Sequence, residues 1–153
     1  MNNIQCAFDF FYLFSRFEFA LKALKYYDQT KRDVKIDWPR FALEHNDRFK
    51  IDHLDIKDKE VANYYLENPP QKQVVRDGEI AWSRTVPDYC CQLDLLLLYI
   101  RRVRNNLFHG GKFKGMYFDN PNRNKKLLEN GIKILNYCAL LNPEIKDAIE
   151  STG

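Results

Sequence analysis

The sequence predicts an all-α fold, an antiparallel bundle of about four to five helices with a small irregular or hairpin insertion around residues 71–87. Apolar residues recur at spacings of three and four over long stretches, and β-branched alternation is nearly absent. Helix punctuation such as Asp37-Trp38-Pro39, Asn68-Pro69-Pro70 and Gly110-Gly111 falls between those stretches. With 153 residues, 45% of them apolar and 14% aromatic, the chain can bury one sizeable core, so a single domain over 1–153 is expected.

From Ile4 to about Tyr27, the residues Phe10, Leu13, Phe14, Phe17, Leu21 and Leu24 lie on one helix face. Arg16 and Glu18 interrupt that run. Each reads as a solvated flank or a partnered charge, and Glu18 also as a carboxylate that orients an arginine from another helix. Lys31 to Ile36 is a charged linker. Asp37-Trp38-Pro39 then opens a short helix, Trp38 to about His45, with proline in the first turn where its missing N–H is harmless.

Asp52 to Leu66 is a further patterned segment, with Val61, Tyr64, Tyr65 and Leu66 apolar and Asp55, Lys57, Asp58, Lys59 and Glu60 solvated. Asp77-Gly78, between Val74-Val75 and Ile80-Ala81-Trp82, signals a turn. The stretch from Asp88 to Gly111 is the long central helix: Leu93, Leu96, Leu97, Ile100, Val103 and Leu107 form one face, and Leu95, Leu98 and Tyr99 widen it. A helix this apolar is buried on several sides. After the Gly110-Gly111 stop, Lys112 to Asp119 is a loop, and Asn120-Pro121 reads as the cap and first residue of a helix carrying Leu127, Leu128, Ile132, Ile134, Leu135, Tyr137, Cys138 and Leu141. A short helix, Pro143 to Glu150, closes the bundle. Loops of modest length favour sequence neighbours as spatial neighbours.

Charged residues make up 29% of the chain but the net charge is only +3, which excludes a strong polyanion binder by bulk charge alone. Cys6, Cys90, Cys91 and Cys138 form no Cys-x-x-Cys pair and follow no secretory signal, so they read as reduced, mostly buried thiols of a cytoplasmic protein. Asp9, Arg16, Glu18 and Lys22 break the apolar run Ala7 to Leu24, which argues against a membrane segment. No spacing suggests zinc or another metal, and no cofactor is expected.

The chemistry concentrates at the end of the central helix, in Arg101-Arg102-Val103-Arg104-Asn105-Asn106-Leu107-Phe108-His109. A helix C-terminus favours a protonated imidazole by roughly 0.3–1 kcal/mol at exposed sites. Histidine exchanges protons near neutral pH, and guanidinium groups hold phosphate oxygens and stabilise charge developing on them. From Arg101 to Lys126 eight basic residues (Arg101, Arg102, Arg104, Lys112, Lys114, Arg123, Lys125, Lys126) stand against one acidic residue, Asp119, a local net charge of +7. These parts suit phosphodiester chemistry on RNA, with Arg101, Lys112, Lys114, Arg123, Lys125 and Lys126 as RNA-binding candidates. Phe113, Tyr117 and Phe118 are either stacking platforms for unpaired bases or packing residues, as Met116 is by default.

The bare spacing is unspecific, because Arg40 and His45, and Arg48 and His53, repeat it. Context separates them: neither pair ends an apolar helix, neither histidine precedes glycine, and both histidines read as surface or packing residues. On an ideal helix, Arg104 lies about 140° from His109, Arg102 about 20° and Asn105 about 40°. Either the helix unwinds ahead of Gly110, or Arg102 is the working arginine. Asn106 reads as a helix C-cap.

Arg104, Asn105 and, after three further residues, His109, at the end of an apolar helix followed by another long helix, resemble the signature of the HEPN superfamily: arginine, a polar residue, and histidine after four to six residues. The resemblance covers about Asp88 to Leu141, is weaker over the first helix and is absent over Lys31 to Pro87. It implies a helical bundle, a homodimer with the two motifs facing each other, and in many members metal-independent RNA cleavage in which the 2′-hydroxyl attacks the adjacent phosphate. His109 would transfer protons, Arg104 would stabilise the transition state and Asn105 would orient the pair, with Arg102 and Glu18 in support. The polar residue after the arginine favours Arg104. Gly111 stands where HEPN toxins paired with nucleotidyltransferase antitoxins typically carry a tyrosine, so control by adenylylation does not carry over.

The expected function is therefore an endoribonuclease acting on tRNA, mRNA or other cellular RNA, as a toxin or an antiphage or stress defence effector, with an antitoxin or defence-system partner. The alternatives are a non-catalytic module of the same family that dimerises or binds RNA or a nucleotide in support of a partner protein, and a plain helical interaction protein.

Overall fold

The computed structural model describes residues 3–108 and 121–151. Its elements are α1 (Asn3–Ala23), α2 (Trp38–His45), a 3-10 turn (Ile51–His53), α3 (Ile56–Glu67), strands β1 (Lys72–Arg76) and β2 (Glu79–Ser83), α4 (Gln92–Phe108), α5 (Pro121–Leu140) and α6 (Pro143–Glu150). The fold is an all-α bundle, as the periodicity predicts, with one small antiparallel hairpin inserted among the described residues. No described helix is long and apolar enough to cross a membrane.

The buried face of α1 carries Cys6, Phe10, Phe14, Phe17, Ala20 and Leu21. It packs mainly on α5 and α6, while α2 lies on α4 and α3 on α5. The expectation that sequence neighbours would be spatial neighbours is thus corrected for α1, and the reason is length. An eight-residue α2 spans about 12 Å, whereas the 21 residues of α1 span about 31 Å and match the 20-residue α5.

Local side chains set the helix starts. Asp37 caps α2, its Oδ1 accepting from Arg40 N at 3.2 Å, and Asp55 caps α3 by accepting from Asp58 N at 2.9 Å. Asn142 caps α6 through Glu144 N at 3.0 Å. The central helix starts at Gln92, four residues later than the run from Asp88 suggested. Asn46 Oδ1 accepts from Leu93 N and Asp94 Oδ2 from Cys90 N, so the residues ahead of Gln92 form a cap and not a helical turn. Cys90 is consequently exposed and Cys91 half-buried, so the expectation of buried thiols fits Cys6 and Cys138 alone.

Two further polar residues are engaged in packing. Arg16 donates to the carbonyls of Ala148, Ile149 and Ser151, closing the C-terminus of α6. His45 is buried and stacked on Phe41; with Asn142 Nδ2 donating to its Nε2 at 3.3 Å, Nδ1 carries the proton and donates to Phe41 O at 2.7 Å. The side chain of His53 lies outside the described part of the structure.

The hairpin pairs Val74 with Ala81 and Val75 with Ile80. Asp77 (φ 53°) and Gly78 (φ 78°) both occupy the left-handed region, the type I′ geometry that matches strand twist. Ahead of it, Pro69 and Pro70 supply no N–H, and the carbonyls from Asn68 to Gln71 are met by side chains. Arg123 donates to Asn68 O and Pro69 O, Arg102 to Pro70 O, and Asn106 Nδ2 to Gln71 O at 2.8 Å. Asn106, expected to cap its own helix, instead anchors the hairpin.

Gly131 lies inside α5, where alanine would ordinarily stabilise a helix by about 1 kcal/mol. Here a Cβ would sit 2.8 Å from Phe10 Cε2 and 2.8 Å from the Tyr65 hydroxyl. Phe10 is fully buried and Tyr65 donates to Leu127 O, so neither side chain has room to retreat. Gly131→Ala is expected to destabilise the fold by about 1–3 kcal/mol, seen as a lower urea midpoint with an unchanged slope.

Candidate functional site

The three arginines of α4 leave the helix in different directions and have different surroundings. Arg104 turns toward α1: its Nη2 lies 3.7 Å from Glu18 Oε1, and its guanidinium lies 5.5 Å from the Phe14 ring centre and 5.4 Å from that of Phe108. Phe108 stacks on Phe11 with centroids 5.9 Å apart. Arg104 Nη1 donates to Asn105 Oδ1 at 2.8 Å. The fold therefore brings Glu18, Arg104 and Asn105 together from two helices.

Two ring faces fix the plane of that guanidinium by cation–π contact. The pair with Glu18 is longer than a hydrogen bond. Arg104 Nε is buried and meets no acceptor among the described residues. Nε is thereby closed to a ligand, whereas the part-exposed Nη edge of a guanidinium set between two rings can hold an anionic oxygen.

Arg102, the competing candidate, is a brace. It donates to Pro70 O at 3.4 Å and to Thr85 O at 3.0 Å, gripping the hairpin on both sides, and lies over the Tyr99 ring. Arg101 lies 5.3 Å from the Trp38 ring centre and reaches Leu97 O. Burial lowers the pKa of both; Asp94 and Glu18 partly offset this for Arg101, and Tyr99 for Arg102.

The remaining basic candidates are dispersed. Arg123 holds the exit of α3, Lys125 pairs with Glu129 at 3.8 Å, and Lys126 lies over Tyr64. His109, Lys112 and Lys114 lie outside the described residues, as do Phe113, Met116, Tyr117, Phe118 and Asn120.

Two grooves flank the polar edge of α4. One, of about 340 Å³, is lined by Phe14, Glu18, Lys22, Lys35, Arg104 and Asn105, among others. The other, of about 410 Å³, runs between α4 and the hairpin. Arg101 and Asn105 line both. Lys22, Lys35, Lys72 and Gln73 were not singled out from sequence, because nothing local to them signals the helix they face. Phe14 was read as core only; its second role beside Arg104 needs the α1–α4 contact to be known.

The solvent side of α1 is unusual. Its exposed positions are Ile4, Gln5, Phe8, Phe11, Tyr12, Ser15, Phe19, Lys22 and Ala23, and the charged residues between Ile4 and Lys22 (Asp9, Arg16 and Glu18) are only half-exposed. Ile4 is 81% exposed, Phe8 64% and Tyr12 60%. A surface helix normally presents charge there.

No protein-family model, curated protein or solved structure matches this chain.

The two arginines should separate by substitution. Arg102→Ala is expected to cost about 1–3 kcal/mol, from two carbonyls losing a charged donor, and to raise amide exchange across residues 70–87. Arg104→Ala should cost about 1 kcal/mol or less, since its side chain is 31% exposed and its ion pair long, and should leave exchange in the hairpin unchanged.

Proposed function

We propose that this protein is a metal-independent endoribonuclease whose site lies at the C-terminal end of α4. The observation that carries the reading is the cluster that Glu18 of α1 forms with Arg104 and Asn105, which precede His109 by five and four positions in the sequence. In this reading the substrate 2′-hydroxyl attacks the adjacent phosphorus, the P–O5′ bond breaks, and the products are a 2′,3′-cyclic phosphate and a 5′-hydroxyl. His109 moves the proton, Arg104 holds the phosphate oxygens on which charge builds, and Asn105 and Glu18 fix the direction of that arginine. The resemblance to HEPN proteins points the same way and suggests a toxin or defence effector with an antitoxin or defence-system partner.

That reading includes a homodimer, and the α1 stripe supports it. Ile4, Phe8, Phe11, Tyr12 and Phe19 expose roughly 430–720 Å² when scaled by side-chain areas of about 150–250 Å². This is at the upper end of the largest patch on a typical monomer, and most of the roughly 800 Å² that each partner gives a standard interface. The same stripe favours the second reading, a non-catalytic module that dimerises or binds RNA or a nucleotide for a partner protein, because it carries contact area and no chemistry.

Purified protein incubated in EDTA with total RNA and a tRNA pool is expected to release fragments with cyclic-phosphate ends. His109→Ala should lower the rate by at least about 100-fold, and Arg104→Ala by about 100- to 1,000-fold, with both variants folded by circular dichroism. Cleavage that persists in His109→Ala would refute the assignment, and a wild type that binds RNA without cutting any pool would favour the module. Phe8→Glu combined with Tyr12→Lys should convert a dimer to a monomer in light scattering; a wild type already monomeric at micromolar concentration and fully active would remove the dimer from the reading.

A further inference from the structure

The second groove, between α4 and the hairpin, has a composition that the site described above does not account for. Its lining includes the cations Lys72, Arg101 and Arg102, the amides Gln73 and Asn105, and an apolar floor that includes Leu98. Among the described residues no carboxylate lines it. Arg102 has no ion-pair partner among the described residues, and its bonds go to neutral carbonyls. Three cations around one concavity repel one another and attract an anion, and Asp94 and Glu18 offset this only at Arg101.

The rest of the lining narrows the class of anion. A volume of about 410 Å³ is at the lower end of small-ligand sites, which run from about 300 to 1,000 Å³, and has the scale of one nucleotide and not of a double helix. Amides beside an apolar floor suit the edge and face of an unpaired base. Asn105 gives its Oδ1 to Arg104, which leaves its NH₂ to donate elsewhere. Arg101 and Asn105 line both grooves, so the two lie side by side along α4.

We propose that the hairpin groove seats one nucleotide of a single-stranded RNA next to the reacting phosphodiester, with Lys72 and Arg101 on its phosphate and Gln73 and Asn105 on its base. This deepens the ribonuclease reading and rests on it. It assigns the hairpin a function: β1 brings Lys72 and Gln73 to the helix that carries Arg104. The selectivity it gives is for unpaired strand over duplex.

The test uses the full chain and a short labelled 2′-O-methyl RNA, which lacks the attacking hydroxyl and so reports binding alone. Affinity is measured by anisotropy at several salt concentrations for the wild type, Lys72→Glu, Gln73→Ala and, as a control of equal charge change on α3, Lys57→Glu. Cleavage of ordinary RNA is followed in parallel. Lys72→Glu should weaken binding about 10-fold or more at low salt and reduce the slope of log K against log salt by about 0.7, the value for one phosphate contact on a single strand. Gln73→Ala should weaken binding several-fold with the slope unchanged, Lys57→Glu should match the wild type, and a duplex of the same sequence should bind more weakly than the strand.

Wild-type affinity and slope in Lys72→Glu and Gln73→Ala, with RNA cleavage intact, would overturn the groove and leave the ribonuclease reading standing. A wild type that neither binds nor cuts RNA would overturn both. Complete displacement of the strand by adenosine monophosphate at equal concentration would assign the groove to a free nucleotide and overturn the strand.

Discussion

Four consecutive carbonyls, from Asn68 to Gln71, organise the half of the molecule in which the grooves lie. Pro69 and Pro70 provide no N–H and cannot continue a helix, so the chain leaves α3 with acceptors that neither a helix nor a sheet ladder will satisfy. Arg123 from α5 and Arg102 and Asn106 from α4 supply the donors. Bonds from charged donors contribute roughly 1.5–3 kcal/mol each when well made, and here they tie α3, α4, α5 and the hairpin to one another. A two-stranded hairpin is marginal by itself in water. This one is held at both ends, since Arg102 also takes Thr85 O beyond β2. The space left between hairpin and helix is the cationic groove.

Helix geometry turns a basic run in sequence into separate tasks in space. At about 100° per residue, Arg101, Arg102 and Arg104 leave α4 on three sides. One lies over Trp38, one reaches carbonyls and one reaches Glu18 between two phenylalanine rings. Local net charge is therefore a poor measure of the field a ligand meets: Arg123, Lys125 and Lys126 are each engaged within the fold. What distinguishes Arg104 is its place between two phenylalanine rings beside a carboxylate from another helix. That property depends on packing and has no counterpart in spacing.

The helices were legible because their signals are local. Asp37 before Trp38-Pro39 and Asp77-Gly78 between Val74-Val75 and Ile80-Ala81-Trp82 each act within four residues; the first gives the expected helix and the second the hairpin of the two readings left open. The start of α4 was misplaced because its cap comes from Asn46, 47 positions away, which no local pattern encodes. The proximity of Glu18 and Arg104 was legible in part: a carboxylate on a mostly apolar helix calls for a partner, though which arginine it meets depends on how α1 crosses α4. Lys72 and Gln73 were silent for the same reason. The partners of Asn106 and Arg102 are 35, 32 and 17 positions away, and these bonds set the hairpin against the helix.

The two unusual features of the molecule, the apolar outer side of α1 and the arginine at the end of α4, are physically connected. Phe11 belongs to the stripe and stacks on Phe108, whose ring also meets the Arg104 guanidinium. Whatever covers Phe11 excludes water from the edge of that stack and lowers the local dielectric around Glu18 and Arg104. Both the ion pair and the attraction of the guanidinium for an incoming phosphate grow stronger as water leaves. The cost of desolvating Arg104 grows as well, and Glu18 at 3.7 Å only partly compensates it. Covering the stripe therefore raises the demand for a second anion at Arg104. In the proposed function, association at α1 and phosphate binding at α4 would therefore favour each other, by a coupling that needs no movement of the backbone.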